Sequence, residues 1–141
     1  MNVNKAIVMG NLTRDPETRT LPSGQAVTSF SLATNRFWTD KESGEKKKQA
    51  EYHNIIAWGR LGEISQQFLK KGSLAYVEGR LQTKNWQDPQ GNRKTRTEIV
   101  AEMLQLGPKP GRTGTMEQSE EKKPKEETPI SDEINVEDIP F

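Results

Sequence analysis

Two tryptophans in this sequence stand in strongly charged surroundings where there is little apolar sequence to bury them. Trp38 precedes the loop DKESGEKKKQ, and Trp86 precedes the turn segment Asp88–Asn92. The cations near them are Arg36, Lys46, Lys47, Lys48, Lys84, Arg93, Lys94 and Arg96. Exposed rings interleaved with Lys and Arg are typical of surfaces on which unpaired bases stack while phosphates contact the cations. The pattern predicts a binding surface for single-stranded nucleic acid.

Two further rings share one face of a strand. Because successive strand residues point to opposite faces, Tyr52 and Trp58 lie on one face and His53 on the other. On the next strand the same alternation aligns Tyr76, Arg80, Gln82, Lys84 and Trp86. The alternative is that the rings are core residues, as large rings usually are, and for Tyr52 and Tyr76 it stays open. Duplex binding is disfavoured, because no helix carries a set of Arg, Asn and Gln for the major groove.

Other chemistry has little support. The chain has no cysteine and one histidine, which excludes thiolate nucleophiles, disulfides and histidine-based metal clusters. His53 has no nucleophile near it in sequence, so we expect it to pack or to lie at a subunit interface. A metal-dependent nuclease would need converging carboxylates, and the acids here are scattered. We therefore expect no enzymatic activity, cofactor or metal.

The charges divide the chain into two parts. Residues 1–107 carry 16 Lys or Arg and 11 Asp or Glu, whereas residues 108–141 carry 5 and 9. The second part also holds five of the eight prolines and one aromatic residue, a composition too polar to form a core. We predict a domain at 1–107, a disordered linker at 108–133 and an acidic, hydrophobic tip at 134–141. No apolar segment is long enough to span a membrane, and we expect a cytoplasmic, nucleoid-associated protein.

The sequence of the domain predicts five β-strands and one helix. The predicted strands are 5–12, 26–36, 47–58, 73–86 and 95–106, with turns at Leu21-Pro-Ser-Gly24 and Asp88-Pro-Gln-Gly-Asn92. Between strands three and four, the spacing of Leu61, Ile64, Phe68 and Leu69 predicts a helix that Gly72 caps. This element order is that of the OB-fold, an all-β, five-stranded Greek-key barrel with one short helix between strands three and four. A small β-sandwich remains the alternative fold.

Several motifs together resemble the bacterial single-stranded DNA-binding protein family. They are Asn4-Lys-Ala-Ile-Val-Met-Gly-Asn-Leu12, Asp15-Pro-Glu-Thr-Arg19, Ser31-Leu-Ala-Thr34, Trp38, Glu51-Tyr-His53, Trp58-Gly59, Lys71-Gly-Ser73, Val77-Glu-Gly-Arg-Leu81 and Asp138-Ile-Pro-Phe141. The resemblance covers residues 1–107 and returns at the last residues. It implies a homotetramer of OB-folds that wraps single-stranded DNA, and a C-terminal tip that docks replication, repair and recombination proteins.

The resemblance also assigns roles to residues. The DNA-stacking rings would be Trp38, Tyr52, Trp58 and Trp86, although the family more often has tryptophan at the second position and phenylalanine at the third. The predicted phosphate contacts are Arg36, Lys47, Lys48, Arg80, Lys84, Arg93, Lys94 and Arg96. The predicted partner-docking residues are Glu137, Asp138, Ile139, Pro140 and Phe141, in a tip less acidic than is usual in the family. An RNA-binding or protein-interaction OB module is the alternative function.

Overall fold

The computed structural model describes residues 1–109. Its elements are β1 (Ala6–Leu12), β2 (Glu17–Thr20), β3 (Ala26–Thr39), β4 (Lys46–Trp58), α1 (Gly59–Phe68), β5 (Leu74–Gln87) and β6 (Arg93–Leu106). No helix within these residues is both long and apolar enough to cross a membrane.

Five of the six strands close into a barrel. The sheet runs in the order β1-β5-β6-β4-β3-β2, and a further pairing of β1 with β3 joins its two sides. Among residues 1–109, β2 pairs only with β3, so it lies outside the ring. The helix connects β4 to β5. A closed five-stranded barrel with one short helix in this position confirms the predicted OB-fold.

The turn motifs join the strands as predicted. The backbone N–H of Gly24 donates to the carbonyl of Leu21 at 2.8 Å, and that of Gly91 donates to Asp88 at 3.0 Å. Both glycines have positive φ, which glycine adopts without steric cost. The two segments are therefore the tips of the β2–β3 and β5–β6 hairpins, and the prediction of hairpin tips is confirmed.

Two local predictions are wrong. β2 was not predicted, because its four residues, Glu-Thr-Arg-Thr, carry no apolar alternation and depend on pairing with β3. The helix ends at Phe68 and not at Gly72, since Leu69 turns into extended backbone and is buried in the core. Its most buried residues are Gly62 and Ser65, whereas Phe68, one of the apolar residues whose spacing predicted the helix, is exposed.

The core fills the inside of the barrel. Phe30, Leu32, Ile55 and Val77 are its largest fully buried apolar side chains, and each comes from the inward positions of a strand. On β1, Val8 packs against this core while Ile7 and Met9 face outward and are exposed. The outer side of the barrel therefore holds apolar residues of its own.

Two glycines allow the strands to approach closely where the barrel closes and bends. A Cβ on Gly10 would collide with the carbonyl oxygen of Ala33, where β1 meets β3. A Cβ on Gly79 would collide with the carbonyl oxygen of Val100, beside the register shift between β5 and β6. Backbone atoms cannot move aside as a flexible side chain can, so these positions require glycine.

We expect Gly79→Ala to lower the free energy of unfolding by about 1–3 kcal/mol, the usual cost of an overpacked site. The measurement is urea unfolding followed by circular dichroism. Gln105→Ala, at an exposed position of β6, is the control and should change stability little. A Gly79→Ala protein as stable as this control would contradict the close approach.

Candidate nucleic-acid interface

Two long hairpins extend from the barrel as two-stranded arms. β3 and β4 pair without interruption from Val27–Trp58 to Thr39–Lys46, and β5 and β6 pair as far as Gln87–Arg93. Residues 35–39 and 83–87 are all exposed. Strands with a single neighbour leave both faces of a ribbon to solvent, so the arms present side chains on either side.

Three of the four predicted stacking rings lie on the outer face of the barrel and arms. Tyr52 and Trp58 alternate with the core residues Ile55 and Ala57, which places the rings outward, as predicted. Tyr52 is 66% exposed and Trp58 is 38% exposed. Trp86, 47% exposed, occupies the outward positions of β5. The interpretation of Tyr52 as a core residue is therefore wrong.

Tyr76 was the other ring whose burial the sequence left open. It is only half-buried, and its hydroxyl donates a hydrogen bond to the carboxylate of Glu78. Hydrogen bonds from Tyr76 and then Lys5 lower the pKa of Glu78, and the same carboxylate raises the pKa of Tyr76. Tyr76 belongs to a polar cluster beside β1 and not to the row of stacking rings.

A cavity of about 290 Å³ opens on the outer face beside Trp58. Val27, Ser29 and Ile56 line it from β3 and β4, while Arg19, Leu21, Lys84, Arg96 and Glu98 line it from the neighbouring elements. OB-folds bind their ligands on this face, formed by the second and third barrel strands. The cavity thus joins Trp58, a predicted stacking ring, to cations from two sides.

Of the residues that line this cavity, only Trp58, Lys84 and Arg96 were predicted from the sequence; Arg19 and Leu21 are among those that were not. Arg19 opposes Val27, which in turn opposes Trp58, so the pairing places Arg19 and Trp58 on the same face, on either side of Val27. Leu21 follows in the turn to β3. Arg19 stands in the motif Asp15-Pro-Glu-Thr-Arg19, which could have drawn attention to it. Because β2 was not predicted, the direction of its side chain could not be predicted either.

The predicted phosphate contacts divide between the two faces of the ribbons. Strand alternation and register put five on the outer face with the rings, namely Lys48, Arg80, Lys84, Lys94 and Arg96. The remaining three, Arg36, Lys47 and Arg93, point to the opposite face. The structure therefore brings together five of the eight predicted cations.

Trp38 differs from the other stacking rings. It opposes Lys47 in the register, so it shares a face with Arg36 and not with Tyr52. The Arg36 guanidinium lies over its ring at 5.5 Å from the centroid, a cation–π contact. Trp38 can stack a base on the face of the β3–β4 arm opposite Tyr52. It can also do so if the twist of the arm turns its ring toward the bound DNA.

Phe37 is the stacking candidate that sequence reasoning overlooked. It opposes Lys48 on the same face as Tyr52 and is 71% exposed. The Lys48 ammonium lies 5.7 Å from the centre of its ring. Neighbouring residues on a strand face opposite ways, and only the register between β3 and β4 shows which of Phe37 and Trp38 shares the face of Tyr52.

Some of the predicted cations already have acidic partners. Lys47 Nζ lies 2.9 Å from Asp40, and this hydrogen bond, followed by one from the backbone N–H of Glu42, holds the pKa of Asp40 below its ordinary value. Lys84 and Arg96 both contact Glu98. Within residues 1–109 no acid lies within ion-pair distance of Arg80, Arg93 or Lys94, which leaves these three ready for phosphate.

His53 lies on the face opposite Tyr52, as predicted, and is half-buried. Its Nε2 and the hydroxyl of Thr34 are 2.9 Å apart and share a hydrogen bond across β3 and β4. Among the residues that the structure describes, no three His, Asp or Glu side chains gather where they could hold a metal ion. The predicted docking residues Glu137, Asp138, Ile139, Pro140 and Phe141 lie outside the described residues.

Comparisons with known proteins agree with this geometry. Residues 3–107 match the model of the single-strand binding protein family. The structure of a Plasmodium falciparum SSB complex with ssDNA superposes with a TM-score of 0.72 and 30% identity, covering 77% of this chain and 97% of that one. The structure of a deletion mutant of the single-stranded DNA binding protein from Thermus aquaticus superposes with a TM-score of 0.66 and 33% identity, covering 78% of this chain and 52% of that one. The proteins of the family are not enzymes, as predicted for this chain. The matched residues span most of the chain and the whole barrel with its arms, and this protein therefore belongs to the single-strand binding protein family.

Proposed function

We propose that the protein binds and protects single-stranded DNA without regard to sequence, in the cytoplasm and on the nucleoid, during replication, recombination and repair. The observation that carries the proposal is one continuous outer face on which the exposed rings of Tyr52, Trp58 and Trp86 alternate with five cations. Every base has a π-face, so stacking on such rings tolerates any sequence.

The path of the strand follows from the same face. The cavity beside Trp58 lies on the barrel, Tyr52 extends the row toward the β3–β4 arm, and Trp86 extends it toward the β5–β6 arm. Bases stack on these rings while phosphates contact the exposed Arg80 and Lys94. Such contacts release counterions from the DNA, and binding weakens as salt increases.

Titration with an oligo-dT tests this proposal. The tryptophan emission should fall on binding, and Trp58→Ala should weaken binding by about tenfold, since stacking contributes roughly 1–3 kcal/mol per base. Phe68→Ala removes an exposed ring on α1, away from the proposed face, and should leave affinity unchanged. Equal losses in the two variants would place the binding face elsewhere. Binding to RNA alone would favour an RNA-binding module.

Assembly into a homotetramer is part of the proposal. Ile7 and Met9 are exposed on the outer side of β1, and the cluster of Lys5, Tyr76 and Glu78 stands beside them. An apolar patch with a polar rim is typical of a subunit interface. It lies on strands β1 and β5, so association through it leaves the rings of β4 free.

We expect sedimentation equilibrium at micromolar concentration to give four times the chain mass of 16.0 kDa. Ile7→Lys should shift the protein toward smaller species, because it places a charge in the interface. Gln66→Lys adds the same charge at an exposed position of α1, away from β1 and β5, and is the control. A stable wild-type monomer would contradict the assembly, and a dimer would contradict the tetramer alone.

A further inference from the structure

One side chain in the cavity does not suit a surface for a polyanion. Glu98 is 5% exposed, yet it lies on the outward positions of β6 and lines the cavity beside Trp58. Burying a carboxylate is costly unless it is paired and hydrogen-bonded. A buried anion also repels phosphate. The position of Glu98 therefore calls for a ligand group of another kind.

The contacts of Glu98 leave acceptor capacity unused. Lys84 Nζ lies 3.2 Å from Oε2, and Arg96 Nε lies 3.4 Å from Oε1. Within the described part of the chain, Oε2 is fully buried and accepts no hydrogen bond of good geometry. An ionised carboxylate has about four acceptor sites, so at least two remain for a donor that enters the cavity.

Lys84 and Arg96 are arranged so that Lys84 can move away from Glu98. Lys84 and Arg96 oppose each other across β5 and β6, and like charges in such a pair repel. Both side chains are about half exposed, whereas that of Glu98 is almost completely buried. The flexible stem of Lys84 can turn to a phosphate at the rim, and this movement uncovers Oε2 toward the cavity.

A nucleobase edge with two adjacent N–H groups fits the acceptor that is uncovered. Guanine presents its ring N1–H and its exocyclic amine side by side, and a carboxylate accepts two parallel hydrogen bonds. Thymine presents a single N–H between two carbonyl oxygens, which the carboxylate repels. The cavity volume of about 290 Å³ is close to the lower limit of ligand sites and suits one flat ring system.

We propose that this cavity is a base-selective subsite, in which a base stacked on Trp58 turns its N–H edge to Glu98 and guanine is preferred to thymine. The inference rests on the proposed binding of single-stranded DNA and adds one selective position to an otherwise indifferent surface. Selectivity enters here because, among residues 1–109, Glu98 is the one buried carboxylate, and the other outward rings have none beside them.

The test uses the full-length protein and eight-nucleotide probes of three kinds: all thymine, thymine with one central guanine, and thymine with one central hypoxanthine. Hypoxanthine keeps the N1–H of guanine and lacks its amine, so it isolates the second hydrogen bond. Fluorescence titration should give about tenfold tighter binding for the guanine probe than for the thymine probe, with hypoxanthine between them.

Two variants test whether the guanine preference depends on Glu98. Glu98→Gln should reduce the guanine preference to less than about twofold. Glu102→Gln removes the same charge from an exposed position of the same strand and should keep the full preference. Because each preference is a ratio within one protein, a general change in affinity or stability cancels.

Three results would overturn the inference. Equal wild-type affinity for guanine and thymine probes would show that the cavity does not select. A preference that survives in Glu98→Gln would place the acceptor elsewhere. Failure of all three probes to bind would overturn the proposed function as well, so the two failures are distinguishable.

Discussion

Single-stranded DNA is expected to bind this protein at least a hundredfold more tightly than a duplex of matched length. Stacking contributes roughly 1–3 kcal/mol per base, and a duplex keeps its bases stacked on one another. Two rings alone, Trp58 and Trp86, therefore account for a factor of about a hundred. The measurement is titration with oligo-dT and with a matched duplex at two salt concentrations, followed by tryptophan emission.

The dependence of affinity on salt concentration distinguishes phosphate contacts from base stacking. Phosphate contacts weaken with salt for both ligands, since both release counterions, whereas stacking depends little on salt. Lys94→Ala should reduce the slope of log affinity against log salt concentration for single strands by about one. It should leave the quenching of tryptophan emission in place. Trp86→Ala should reduce both quenching and affinity. Comparable affinity for duplex and single strand would contradict the assignment of the outer face.

Deleting residues 134–141 should abolish the capture of replication and repair proteins while leaving DNA affinity unchanged or slightly raised at low salt. The segment combines Ile139, Pro140 and Phe141 with Glu137 and Asp138. This composition suits a small apolar pocket rimmed by Lys or Arg on a partner protein. A purely solubilising segment would have no need for three consecutive apolar residues.

Phe141→Ala is the sharper version of this experiment, because it keeps every side-chain charge and removes only the terminal ring. Pull-down from a lysate treated with nuclease, so that DNA cannot bridge proteins, compares the wild type with both variants. We expect capture to be lost in each of them. Capture of the same proteins by the truncated chain would show that docking lies elsewhere. The rise in DNA affinity should disappear at high salt, which screens the acidic tip from the basic domain.

The local periodicity of the sequence already determined which residues of β4 share a face, although it left open whether Tyr52 lies in the core. Ile55 and Ala57 are buried while Tyr52 and Trp58 face outward, because alternation along a strand is independent of its partners. The turns at Leu21–Gly24 and Asp88–Asn92 followed for a similar reason, since proline and glycine restrict or permit backbone angles locally. These features and the element order were sufficient to predict the fold class.

The end of the helix and the existence of β2 depended on tertiary contacts. Leu69 leaves the helix to fill the core, although the spacing of apolar residues would have continued it to Gly72. β2 has a polar sequence and forms only because β3 supplies its hydrogen-bond partners. Where packing and pairing outweigh local preference, the sequence pattern gives the wrong boundary.

The composition of the binding face was decided by register. The sequence by itself placed rings and cations on neighbouring strands, and it predicted Trp38, Tyr52, Trp58 and Trp86 as the stacking rings. Only the pairing of β3 with β4 shows that Phe37 shares their face and Trp38 does not. Only the pairing of β5 with β6 brings Glu98 beside Lys84. A shift of one residue between strands would exchange the two faces. The register is fixed because each strand buries one face in the barrel, which closes at Gly10, where β1 meets β3.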